Sequence, residues 1–222
     1  MGGFGLPFLL QKFMATTTND TETALSAVNA ILGAIGQAPV ASITNSNPEI
    51  SFIYNLLRDA NIDVQNEGWH FNTEYHIKYT PQLVNGVEKI AIGNDVLKMD
   101  VSDGWRERHY DVVKRNGYLY DKLDHTDDWS ELADGIDLDI VRLLSYEYLP
   151  SPFKRYVIYK ASVRAATQLV GDTQLVQILA QQEALARTTI VEYECNQGNH
   201  TMLGLPEDST YTAYEPWRSL RR

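Results

Sequence analysis

The chain has 222 residues, 44% hydrophobic, 22% charged and 10% aromatic, with a net charge of −10. A chain of that length buries roughly 70% of its unfolded surface and needs no staples, and its one cysteine, Cys195, excludes a disulfide framework or a cysteine-built zinc site. The negative balance excludes a protein that grips duplex DNA, which displaces counterions with clustered Lys and Arg.

Residues 1–20 read as a flexible leader with a short apolar patch from Leu6 to Leu10. A bilayer span takes ~20 apolar residues, so no membrane insertion is expected. The first positive charge, Lys12, follows the patch instead of leading it, and Leu6 stands where a myristoylation signal needs Ser or Thr. Met14 offers an alternative start, and the expected site of synthesis is the cytoplasm.

A first helix is predicted over about 22–35, with Ala24, Leu25, Val28, Ile31, Leu32 and Ile35 on one face. Asn19, Asp20 or Thr21 can cap it. The second helix enters through Asn47, Pro48 and Glu49 and ends at Gly68. Its stripe is Ile50, Ile53, Tyr54, Leu57 and Val64, with Ala60 and Asn61 at the edge. The period then changes to two, and 74–80, 90–92, 96–101, 110–113, 118–120 and 136–144 read as strands. Asn85-Gly86 and Asn116-Gly117 are hairpin turns, because a type I′ turn needs positive φ at both central residues.

Helical spacing returns at Ser151, the expected cap, with Pro152 in the first turn and Phe153, Tyr156, Val157, Val163 and Val170 inward. A fourth helix follows from Asp172 to about 197, with Leu175, Ile178, Leu179, Leu185 and Tyr193 inward. The fold class is α+β. A four-helix bundle is built from 21–68 and 151–197, a mainly antiparallel β domain is inserted at 69–150, and an extended C-terminal arm occupies 198–222.

Two features stand out as candidate contact sites. From Asp121 to Asp139 eight carboxylates face Lys122 alone, and Asp121, Asp124, Asp127, Asp128, Glu131 and Asp134 begin that run. Its likeness to a calcium loop fails, because Ser130 and Leu132 hold ligand positions. A solvated, mobile face and loose divalent binding remain the two readings. In the arm, Tyr211, Tyr214 and Trp217 punctuate an aperiodic stretch that also carries Arg218. Aromatics so placed usually dock, against another chain or against the chain's own surface, with a disordered end as the third reading.

Enzyme signatures are scarce. Phosphate loops, the Gly-x-Ser-x-Gly elbow and His-Glu-x-x-His are all missing. Cys195 sits beside Glu192 and Glu194, a poor setting for a nucleophile. His70 and His76 make a weak zinc pair, and paired carboxylates for glycoside hydrolysis can only be judged in space. Neither a cofactor nor a metal is expected. Trp69, at the stop of the second helix, is placed to plug the junction between bundle and β unit.

Glu22–Val40 and Asp63–Asn72 together resemble the tail tubular protein A family of short-tailed phages. Tyr118-Leu-Tyr-Asp121, Ile140-Val-Arg-Leu143, Leu149-Pro-x-x-Phe153 and Lys160-Ala161-Ser162 are similar to later positions of that family. The resemblance covers roughly 22–203. It implies a virion structural protein, an adaptor ring of about twelve copies assembled in the host cytoplasm. Such a ring binds the portal, receives the tail nozzle protein, seats tail fibres and lets DNA pass without sequence-specific binding. A negative lumen suits that passage, since carboxylates repel phosphates. The alternative is a tail-associated hydrolase of host cell-surface polysaccharide.

Overall fold

The structure, a computed structural model, describes residues 22–43, 47–102 and 109–197. Helix α1 spans Ala24–Ala34. The expected caps Asn19, Asp20 and Thr21 lie outside the described residues, and Thr23 caps instead, its Oγ1 accepting the Ser26 N–H at 3.3 Å. Helix α2, Pro48–Gln65, starts as its sequence dictates, with Asn47 Oδ1 accepting the Glu49 N–H at 3.1 Å. Ile50, Ile53, Leu57 and Val64 are buried, and so are Ala60 and Asn61, which were expected at the edge.

Helix α3 is Ser151–Ala165. Ser151 lies inside it and does not cap it; its hydroxyl donates to the Glu22 carboxylate at 3.2 Å. Phe153, Tyr156 and Val157 are buried as predicted. A π-helical turn, Ala166–Val170, then ends at Gly171 with φ 72°. That wider turn breaks the 3.6-residue rhythm, so Val170, expected inside, is exposed. Helix α4 is Thr173–Gln197, and Asp172 Oδ1 accepts the Gln174 N–H at 2.9 Å.

The four helices are present, but they do not share one core equally. α3 is central and packs against α1, α2 and α4. Ala27, Val28, Ile31, Ile53, Leu57, Phe153 and Val157 form the helical core, and α4 contributes Ile190. Only Leu179 and Ile190 of α4 are buried. Ile178 and Leu185, expected inward, are 55% and 70% exposed. With α1 and α2 already covering α3, α4 lies along α3 as an outrigger with much of its surface free.

Among the described residues, seven strands run between α2 and α3: β1 (Thr73–Tyr79), β2 (Gln82–Val84), β3 (Val87–Lys89), β4 (Val96–Val101), β5 (Val112–Arg115), β6 (Tyr118–Asp121) and β7 (Ile136–Arg142). All pairings are antiparallel: a three-stranded sheet in the order β1-β7-β4 and the hairpins β2-β3 and β5-β6. Both hairpins turn at the predicted dipeptides, with Asn85 and Gly86 at φ 54° and 84° and Asn116 and Gly117 at 53° and 81°. Residues 90–92, read as a strand, make a single bridge from Ala91 to Tyr118. The unit has its own core, including Ile90, Leu119, Trp129, Ile136, Leu138 and Ile140, distinct from the helical one.

Candidate interaction surfaces

The junction between helices and strands is a polar clamp inside an aromatic collar. Gln65 is fully buried on the inner face of α2. Its Nε2 donates to Asn61 Oδ1 (2.9 Å) and the Leu144 carbonyl (2.8 Å), and its Oε1 accepts the Leu144 N–H (2.7 Å). The chain leaving β7 is thereby tied to α2. Trp69 plugs the junction as expected, its indole N–H donating to the Val64 carbonyl at 2.7 Å and its ring meeting Phe153 edge-on at 5.0 Å. Sequence reading passed over Gln65. Its signal was there: Asn61 and Gln65 are four apart on the apolar side of α2, and two amides on such a face need each other.

The outward face of α4 is exposed among the described residues. The exposed residues from Thr173 to Val191 are Thr, Gln, Ile, Ala, Leu and Val, without a single charge. The two charged residues in that span, Glu183 and Arg187, are half-buried, and Arg187 pairs with Glu67 at 2.6 Å. Ile178 and Leu185 are two turns apart on this face. Leu185 also lines a shallow groove of about 210 Å³ shared with Pro152, Arg155 and Tyr159 of α3.

The acidic run is not the uniformly solvated face that its composition suggests. Asp121 is 1% exposed at the end of β6, held by backbone N–H groups. Asp127 pairs with Lys89. Asp124, Asp128, Glu131 and Asp134 are exposed. Asp121 is paired with Val112 in the β5–β6 hairpin, and the loop that follows returns to it through the Leu123 N–H and the bridge to Thr126. Among the described residues no three His, Cys, Asp or Glu side chains gather as metal ligands. His70 and His76 are both exposed, and Cys195 is a free, exposed thiol. The predicted contact residues Tyr211, Tyr214, Trp217 and Arg218 lie outside the described residues. No described helix is long and apolar enough to cross a membrane.

The described residues thus combine a small α+β fold with an uncharged helix face and an acidic recess. A family model described as Tail tubular protein matches residues 25–200. The chain belongs to that family and is a structural component of a phage tail. No curated protein matches the chain.

Proposed function

We propose that this tail protein is a ring-forming adaptor, about twelve copies joining the phage portal to the tail nozzle, with DNA passing through its lumen and tail fibres seated around it. The observation that carries the reading is the uncharged outer face of α4. Copies of a chain with net charge −10 repel one another. A face without charge that shows Ile178 and Leu185 is where such copies can meet without that penalty. The same acidity suits a conduit that must release DNA, with Asp124, Asp128, Glu131 and Asp134 as exposed candidates for its lining. Tyr211, Tyr214, Trp217 and Arg218 are proposed as anchors to a neighbouring protein.

Negative-stain microscopy and sedimentation of the purified chain, alone and with portal, test this. Rings with a central hole that add to the portal are expected. Compact monomers that leave the portal bare and degrade surface polysaccharide would overturn the reading in favour of a hydrolase.

A further inference from the structure

Asp121 carries an unmet demand. Its Oδ1 accepts the N–H groups of Asp111 at 3.1 Å and Leu123 at 3.0 Å, which fixes the carboxylate at the base of the loop. Its Oδ2 is equally shielded from solvent and has no hydrogen-bond partner. A buried carboxylate oxygen left this way calls for a donor, and above all for a cationic one. Asp121 lines a recess of about 290 Å³ together with Tyr110, Asp124, Asp128, Trp129 and Glu131. Among the described residues no cation pairs with these four carboxylates. Lys89, Lys114 and Lys122 are engaged elsewhere, by Asp127, the Gly93 carbonyl and Asp111.

We infer that this recess is a receptor for a guanidinium group, filled by the arginine-bearing C-terminal segment (Arg218, Arg221, Arg222) of another copy of the chain. The inference rests on the self-assembling role proposed above.

The walls select this cation. Trp129 and Tyr110 stand with ring centroids 5.5 Å apart beside the acids. A planar, weakly hydrated guanidinium takes carboxylates in its fork and lies against aromatic rings, which an ammonium does less well. A bare metal ion would need several oxygens converging within about 2.6 Å of one point, and the described side chains offer no such group of three. The fold already uses the same chemistry elsewhere: Arg187 is held by Glu67 with its guanidinium carbon 4.9 Å from the Trp69 ring centroid.

Reach and charge identify the source. α4 ends at Gln197, and twenty-five residues follow it. At about 3.3 Å per extended residue, Arg218 can lie up to ~70 Å from that end, ample for a neighbouring subunit. In a strongly acidic chain the basic terminus is the natural partner for an acidic recess on the next copy, turning like-charge repulsion into attraction. Asp124, Asp128 and Glu131 then belong to the recess, and the lumen keeps Asp134 and the overall negative balance.

The test titrates a labelled peptide of residues 206–222 into full-length protein whose own Arg218, Arg221 and Arg222 are changed to Gln, read by fluorescence anisotropy. Saturable binding that weakens with salt is expected. It should fall at least tenfold when Asp121→Asn is added, and equally when the peptide's arginines become Gln. The amide introduced by Asp121→Asn keeps the Oδ1 acceptor, so the melt should hold. Should it drop, the exposed Asp124→Asn/Asp128→Asn pair serves instead. Undiminished binding to both variants overturns the site, as does a calcium or magnesium ion that saturates the recess stoichiometrically and excludes the peptide. Peptide binding is read without any ring, so failure here is distinct from failure of the adaptor role. Unchanged self-association of full-length Asp121→Asn would overturn the copy-to-copy assignment.

Discussion

Arg187 of α4 pairs with Glu67, just past α2, at 2.6 Å while its guanidinium carbon lies 4.9 Å from the Trp69 ring centroid, so one side chain fastens the outrigger helix to the junction. Both partners are more than a third exposed, so screening limits what the charge itself supplies. The contact with the Trp69 ring is screened less, because that indole is only 7% exposed. Arg187→Lys keeps the charge and loses the fork and the stack. It should cost about 1 kcal/mol in urea unfolding. A loss that vanishes entirely in 1 M salt would show that charge alone, and not the stack, was at work.

The Gln65 clamp should matter more. Gln65→Ala strips the Leu144 N–H of its acceptor and Asn61 Oδ1 of its donor, and leaves the Leu144 carbonyl only the 3.3 Å bond from Asn61 Nδ2, which weakens the tie between β7 and α2. Unsatisfied buried groups cost about 1–3 kcal/mol each, so a total near 3 kcal/mol is expected. For a domain of this size that lowers Tm by about 6–12 °C. A melt within 2 °C of the parent would mean that water replaces the clamp.

Burial also sets a pH dependence. The Tyr79 and Tyr156 phenols are held above the usual 10.0 by desolvation, partly offset by Arg142 and Arg187 respectively. Above pH 10 the unfolded chain loses these protons first, so the folded state binds more protons and is disfavoured as pH rises. The stabilisation is complete below pH 10 and is lost as pH climbs through the raised folded values. Tyr156→Phe should make the alkaline decline of stability shallower. Identical slopes for parent and variant would remove Tyr156 from that account.

Two glycines with the same backbone angle should behave differently. Gly86 and Gly135 both have φ +84°, but a Cβ at Gly86 meets nothing within 4 Å, whereas one at Gly135 runs into the Tyr79 carbonyl oxygen. Gly86→Ala should cost about 1 kcal/mol for the left-handed backbone alone. Gly135→Ala adds a backbone clash at the end of β1 and should cost more than about 3 kcal/mol. Equal chemical-denaturation midpoints for the two variants would contradict the close approach.

What could be read from the sequence was what is decided locally. Asn47 before Pro48, the two Asn-Gly turns and Asp172 before α4 each settle their own conformation within a few residues, and each stands where expected. The inner face of α4 is not local. Leu185 and Ile178 have the spacing of core residues, but which side of a helix is covered depends on how many neighbours reach it. Here α1 and α2 already occupy α3, and the apolar positions were left outside. Asp121 reads as one acid among eight until the loop after β6 returns to it at Leu123 and Thr126. Val170 fell out of register because a π-turn has no clear sequence mark.

That misplaced face of α4 gives the last prediction. Leu185 is 70% exposed and Ile178 55% exposed, so replacing either with Asp removes little from the chain's own core. Surface changes away from packed positions usually move stability by less than about 0.5 kcal/mol. Should the face be covered by a neighbouring copy, as proposed for the ring, the same change buries an unpaired charge in a dry contact. That costs several kcal/mol per interface, and a closed ring repeats it at every junction. Ile178→Asp and Leu185→Asp should therefore melt like the parent yet sediment as monomers, with Gln181→Ala between them as the mild control. Rings formed at the parent's concentration by both Asp variants would show that α4 faces solvent in the assembly, and the intersubunit contact would have to be sought on another face.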